Sequence, residues 1–246
     1  MVRAFCLTAM LLAGTAAHAA DIVVLTAGAF APVLADHTPA FEKSGDRLIV
    51  TKDTAGGLVR RVAEGVKFDV IIATEAGIAL FTTKAQVTAG ANVARAGIAI
   101  GVRTGSSKPD ISTEAAFKQT IMAAKSIAYV DPASGGSSGI YLKGLFDRMG
   151  IGPDVAKKAV LTQGGLAAEK VASGEADIAL QQASEILTVK GVTLVGPMPA
   201  AIQSYTIYAA GISSAATNPD AARRLMALFA SPEGKAAVTR LGMEAP

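Results

Sequence analysis

Apolar positions along this chain come in two alternating patterns, short unbroken runs and helically spaced sets. "DIVVLTAGAF" opens at Asp21 with a run of apolar residues and ends in a Gly-containing turn, the pattern of a buried strand and its exit loop. "APVLADHTPAFEKSG" follows with helical spacing and stops at Gly45. "RLIVTKDTAGG", "LVRRVAEGV" and "FDVIIATEA" repeat the cycle as strand, helix and strand. This βαβαβ order predicts a parallel sheet with helices on both faces. "ARAGIAIGVRTGS" reads as a strand leaving that unit. A second unit follows, from "SIAYVDPASGGSSG" and the helix "IYLKGLFDRMGI" through "KAVLTQGG", "LAAEKVASG" and "EADIALQQASEIL". "GVTLVGPMPAAIQSYTIYAAGI" is extended and Pro-punctuated, and in its alternating run Tyr205 and Tyr208 fall on opposite faces, one of them core. Two closing helices start at Asn218–Pro219 and Ser231–Pro232, with the first residue of each pair as the cap. The order is one α/β unit, a second, and a return to the first.

The first nineteen residues read as an address. Arg3 supplies a positive start, "AFCLTAMLLAG" a short apolar stretch, and Ala17, His18 and Ala19 a small-residue cleavage site before Ala20. The stretch is shorter than the ~20 residues a membrane span needs. The expectation is a cleaved secretory signal over residues 1–19 and a periplasmic mature chain. Cleavage removes Cys6, the single cysteine, so the mature chain has no disulfide and no thiol nucleophile. His37 is then the one histidine left, which removes a poly-His metal site and a His-based triad. Losing Arg3 takes the net charge from +3 to about +2, with no basic cluster of the kind nucleic acid attracts.

In open parallel sheets, ligands sit beyond the carboxyl ends of the strands. Four loops rich in Gly, Ser, Thr or Gln lie at such ends, at residues 26–30, 54–57, 134–139 and 181–184. Exposed N–H groups at Gly-rich turns and helix starts bind anions, and small hydroxyls add neutral donors. Ordinary strand-to-helix turns also favour Gly and capping Ser, so each loop alone is ambiguous. "SGGSSG" lacks the lysine of a P-loop. Its Gly135–Ser137–Gly139 has the form of a nucleophile elbow, but no histidine follows residue 37 to complete a triad. Arg60 and Arg61 follow the second loop, where a guanidinium either faces solvent or reaches a carboxylate. Glu75, at the end of the third strand, either opens a helix or serves as a base at the crevice.

The stretches "LTAGAF", "TAGGLVRRVAEGVKFDVIIATEA", "VDPASGGSSGIYLKGLFDRMGI", "KVASGEADIALQQASEI" and "NPDAARRLMALFASPEGKAAVTRLGM" resemble, in that order, the two-lobed periplasmic solute-binding proteins that include the molybdate-binding proteins of ABC transporters. The resemblance covers nearly all of the mature chain. It implies an α/β, type II periplasmic-binding-protein fold with a ligand cleft between lobes. Residues 20–99 plus 196–246 form the first lobe and 100–195 the second, joined by two crossing strands. It implies a monomer that binds a small anion and hands it to an inner-membrane ABC permease, with no cofactor, metal or nucleic acid. The ligand-binding residues expected are Gly28, Ala29, Thr54, Ala55, Gly56, Gly57, Arg60, Ser134, Ser137, Ser138, Gln181 and Gln182.

Molybdate-binding members usually hold their oxyanion with a serine in each of the first two loops and a tyrosine late in the second lobe. Gly28, Thr54 and Gln181 or Gln182 stand at those places here. Such a site is roomier and suits an organic polycarboxylate. "LQQASEIL", "GVTLVGPMPAAIQ" and "YAAGIS" resemble a branch of the same fold that includes periplasmic aconitate isomerases. The first expectation is therefore a carboxylate receptor. The alternatives are an isomerase shifting an allylic proton, with Glu75 as base, and a molybdate or tungstate receptor.

Overall fold

The computed structural model describes residues 20–88 and 90–246. The leader expected over residues 1–19 lies outside the described residues. The first unit runs β1 (Asp21–Ala27), α1 (Ala31–Glu42), β2 (Arg47–Asp53), α2 (Ala55–Ala63), β3 (Val70–Thr74) and α3 (Glu75–Thr83). The long β4 (Ala91–Arg103) leads into α4 (Glu114–Ala123), β5 (Ile127–Val130), α5 (Ser137–Arg148), α6 (Gly152–Ala156), β6 (Ala159–Thr162), α7 (Ala168–Ser173), β7 (Ile178–Gln182), α8 (Ala183–Ile186) and β8 (Val192–Pro197). The chain returns through β9 (Tyr205–Ile212) to α9 (Pro219–Ala230) and α10 (Pro232–Arg240).

The strands form one curled sheet in the order β2-β1-β3-β9-β4-β7-β5-β6, with β8 also on β4. β1 pairs in parallel with β2 and β3, and β5 in parallel with β6 and β7. The two parallel halves meet at β4 and β9, which run antiparallel to their neighbours. β4 changes partners along its length. Residues 91–97 pair with β9, and residues 98–102 pair with β7. At the changeover the Gln203 side chain bonds both backbone groups of Ile98, accepting from its N and donating to its O, each at 2.9 Å. This gives the two-lobed architecture its crossing strands.

The hydrophobic contacts divide at the same place. Phe30, Phe81 and Phe229 pack with β1 and β3 in one core that reaches Ala96. Ile98 belongs to the other side, with Phe117, Tyr129 and Phe146. β1 and β3 are buried on both faces, as strands between helical layers must be, and so read as unbroken apolar runs.

Two local details differ from the pattern. α5 begins at Ser137, so Ser137 and Ser138 form its first turn and not a loop before it. Asn218 opens α9 without a side-chain cap and donates instead to Asp21 O. The backbone there is held by Asp69 Oδ1, which takes Thr217 N at 2.7 Å. Ser231 does cap α10, accepting from Gly234 N at 3.0 Å.

Candidate functional site

Segments of both lobes meet around a cavity of about 780 Å³. The first lobe contributes the turn at Gly28–Phe30 and the start of α2. Thr54 caps α2, with its hydroxyl accepting from Gly57 N at 3.0 Å. The same hydroxyl donates across the cleft to Ser134 O at 2.6 Å. Beside it Gly56 N donates to Gly135 O at 3.0 Å. A Cβ on Gly56 would stand 2.9 Å from the Gly135 Cα, and Gly135 has a φ of +81°. Glycine at both positions lets the two backbones touch. At the rim, Arg61 pairs with Asp53 at 2.6 Å, next to Lys52.

The second lobe contributes the start of α5, the end of β7 and the loop Gln163–Leu166. Gly136 precedes α5 and offers no side chain to cap it. Among the described residues no side chain caps the start of this 12-residue helix, and first-turn N–H groups of that kind suit an anion. Ser137 Oγ receives Gln182 Nε2 at 3.2 Å and Thr206 Oγ1 at 3.3 Å. With its lone pairs engaged, its own hydrogen is left to donate. Ser138 lines the cavity beside it.

Glu185 and Tyr208 also line this cavity. Glu185 follows β7 within the short α8 and is 6% exposed. Burial pushes its carboxyl up to about 8, against a hydrogen bond with Gln181 that holds it down. At neutral pH it is mostly a neutral acid. Burial pushes the Tyr208 phenol well above its usual range, and the Glu185 charge adds to the shift. Ser137, Thr206 and Gln182 oppose it. Tyr208 therefore remains a hydrogen-bond donor at working pH. Gln181 is fully buried, its amide nitrogen on Gly165 O at 2.8 Å and its Oε1 without a donor among the described residues. The first-lobe turn packs directly over Glu185. Ser184 Oγ donates to Ala29 O at 2.8 Å, and a Cβ on Gly28 would come within 2.8 Å of Glu185 Oε1. A serine at position 28 would compete with Glu185 for the same space.

Of the residues expected from sequence, Gly28, Ala29, Thr54, Ala55, Ser137, Ser138 and Gln182 line the cavity. Gly56, Gly57, Arg60, Ser134 and Gln181 stand behind that lining. Gly56 and Ser134 join the lobes, Arg60 reaches Ser134 O at 3.5 Å, and Gly57 completes the α2 cap. Glu75 is set apart. It is exposed at the start of α3 and accepts from Asn92 Nδ2 at 3.0 Å. Arg61, Tyr208 and Glu185 join the cavity without having been singled out for it. The sequence signal for Glu185 is a carboxylate inside an apolar turn, four residues beyond Gln181.

A cleft between two α/β lobes, with helix starts, hydroxyls and amides turned inward, defines a solute-binding fold. The chain belongs to the bacterial extracellular solute-binding proteins, whose family model matches residues 22–244. It is 34% identical over 251 residues to an aconitate isomerase from Pseudomonas sp., across 97% of this chain and 94% of that one. In structure it is similar to the periplasmic molybdate-binding protein of Azotobacter vinelandii (TM-score 0.77, 17% identity, 92% of this chain and 99% of that one). It is also similar to a sulfate-binding protein from Mycobacterium tuberculosis H37Rv (TM-score 0.69, 14% identity, 92% and 87%).

Proposed function

We propose that this protein is exported to the periplasm, binds a small organic polycarboxylate in the cleft, and interconverts trans- and cis-aconitate with Glu185 as the proton carrier. The observation that carries the reading is a buried carboxyl, pushed up to about 8, in a cage of helix N–H groups, hydroxyls and amides, with the cavity's charged groups Lys52, Asp53 and Arg61 on the first-lobe side. A neutral carboxyl in the wall can donate to a bound anion, but one that gains and loses its proton near working pH can also move a proton. A proton shift needs a base whose pKa lies near working pH. The full-length likeness to an aconitate isomerase supports the same reading.

In the proposed reaction the ionised Glu185 takes a proton from the substrate CH₂. The electron pair spreads over the allyl carbons and the attached carboxylate. Tyr208, Ser137 and the α5 N–H groups stabilise that charge. Glu185 returns the proton to the far allyl carbon, and the double bond has moved by one position. Nothing is consumed and no cofactor is needed.

The second reading is a receptor for the same anion, delivering it to an inner-membrane ABC permease. The Thr54–Ser134 and Gly56–Gly135 contacts favour it, because they close the lobes over the cavity and have no part in chemistry. The purified protein is incubated with trans-aconitate, and the cis isomer is followed by chromatography. Turnover supports the isomerase. Binding without turnover sinks it and leaves the receptor. In a thermal-shift screen, a ligand at 100 times its Kd adds about 2.7 kcal/mol of stability. A shift with molybdate and none with aconitate or citrate would overturn the carboxylate reading.

A further inference from the structure

Asp46 lies in the turn before β2 with its side chain 3% exposed. Its Oδ2 receives Ser44 Oγ at 2.8 Å and the Arg224 guanidinium from α9. Its Oδ1 receives the backbone nitrogen of Ala20 at 3.1 Å. Ala20 is fixed on its other sides too. Its carbonyl accepts from Arg47 N at 2.9 Å, and its methyl packs against the first-lobe core. Ala20 is also the residue that follows the small-residue pattern Ala17–His18–Ala19. A buried carboxylate bound to a half-exposed arginine gains from a second positive charge, and the atom at Oδ1 is the one that becomes charged on cleavage.

We propose that cleavage between Ala19 and Ala20 leaves the new α-ammonium group docked on Asp46, so that the mature amino terminus is a structural ion-pair partner and not a loose end. The inference rests on the export reading above. In the cleavage step a leader peptidase of the host breaks the Ala19–Ala20 peptide bond with one water. Hydroxyl goes to the Ala19 carbonyl carbon and hydrogen to the Ala20 nitrogen, which then takes up a further proton from solvent. The hydrogen bond already present gains a full charge, and such bonds are roughly twice as strong as neutral ones. The Arg224 guanidinium already holds the Asp46 carboxyl below its usual range, with Ser44 and Ala20 helping. The other charged neighbours are the exposed Asp21–Arg47 pair, with Glu42 nearby.

The test uses the full chain, exported from a bacterial host, and a variant with one glycine inserted between Ala19 and Ala20. Intact mass and amino-terminal sequencing of the wild-type product should begin at Ala20. The inserted glycine moves the amine away from Asp46 and should lower Tm by roughly 2–5 °C. In an Asp46→Asn background the same insertion should change nothing. Where Asp46→Asn fails to fold, pH serves instead. An α-amine titrates near 8 when free, and the carboxylate raises it in the folded state. The wild-type advantage is thus full below about pH 8 and lost as pH rises through the higher folded value. A product that begins elsewhere overturns the proposal. So does a product that begins at Ala20 but is indifferent to the insertion, or a Tm gap that persists at about pH 10. The first outcome concerns processing and leaves the cleft reading untouched, while failed turnover leaves the terminus untouched.

Discussion

Two glutamates follow strand ends in this molecule, and they have opposite fates. Glu75 opens α3 at the end of β3, exposed to water and bonded to Asn92. Glu185 sits in α8 just past β7, walled in by the Gly28–Phe30 turn of the other lobe and by Gln181. Position relative to the strand is nearly the same. What differs is what closes over it. At β3 the loop faces solvent. At β7 the second lobe presses its helix start against the first. A carboxylate becomes a candidate proton carrier because two lobes share it.

Turnover should separate the two glutamates by the widest margin. Glu185→Gln should cut aconitate conversion by roughly 10²–10⁴-fold and keep the ligand bound, since the amide fills the same space without a titratable proton. Glu75→Gln should leave conversion unchanged. Equal losses, read by chromatography, would erase the distinction.

Stability separates the pair next. A carboxyl raised to about 8 in the folded state and near 4.5 when free makes the wild type lose stability as pH climbs between those values. It is fully stable with respect to this group below the lower one. Glu185→Gln escapes the loss. In thermal melts without ligand it should match the wild type near pH 4 and exceed it at pH 8, by an upper bound of roughly 4 kcal/mol. Glu75→Gln should show no such pH-dependent gap. An unchanging difference for Glu185→Gln would contradict the buried, protonated state.

Smaller effects divide the Gly/Ser stretch itself. Ser137→Ala should weaken ligand binding by ~1–3 kcal/mol in calorimetry, because Ser137 lines the cavity and its hydroxyl hydrogen is left to donate. Ser134→Ala should weaken it less, since that hydroxyl donates to Asp131 O within its own turn. Gly135→Ala should weaken binding through lobe closure, because its left-handed φ and its contact with Gly56 both exclude a Cβ.

Much of this architecture is legible in the sequence, because each βα cycle carries its own period and its own polar exit loop. "DPASGGSSGIY" is readable as part of a cleft. Its division of labour is not. Ser134 and Gly135 hold the opposite lobe, while Ser137 and Ser138 begin α5 and face the cavity, and only the partner chain segments decide which is which. Adjacent Arg60 and Arg61 point a helical step apart, so one reaches the lobe contact and the other the cavity rim. Tyr205 and Tyr208 fall on opposite faces as alternation requires, and Tyr208 takes the inner one. Glu185 escapes notice because its burial comes from the other lobe, more than 150 residues away along the chain.

If Glu185 carries the proton as proposed, the pH dependence of kcat/KM for aconitate must report its ionisation. The base works ionised, so the rate should climb about tenfold per pH unit below its pKa and level off above about pH 8. That rise should vanish, with the rate, in Glu185→Gln. A profile already level from pH 6 to about pH 9, or one that survives unchanged in Glu185→Gln, would contradict it.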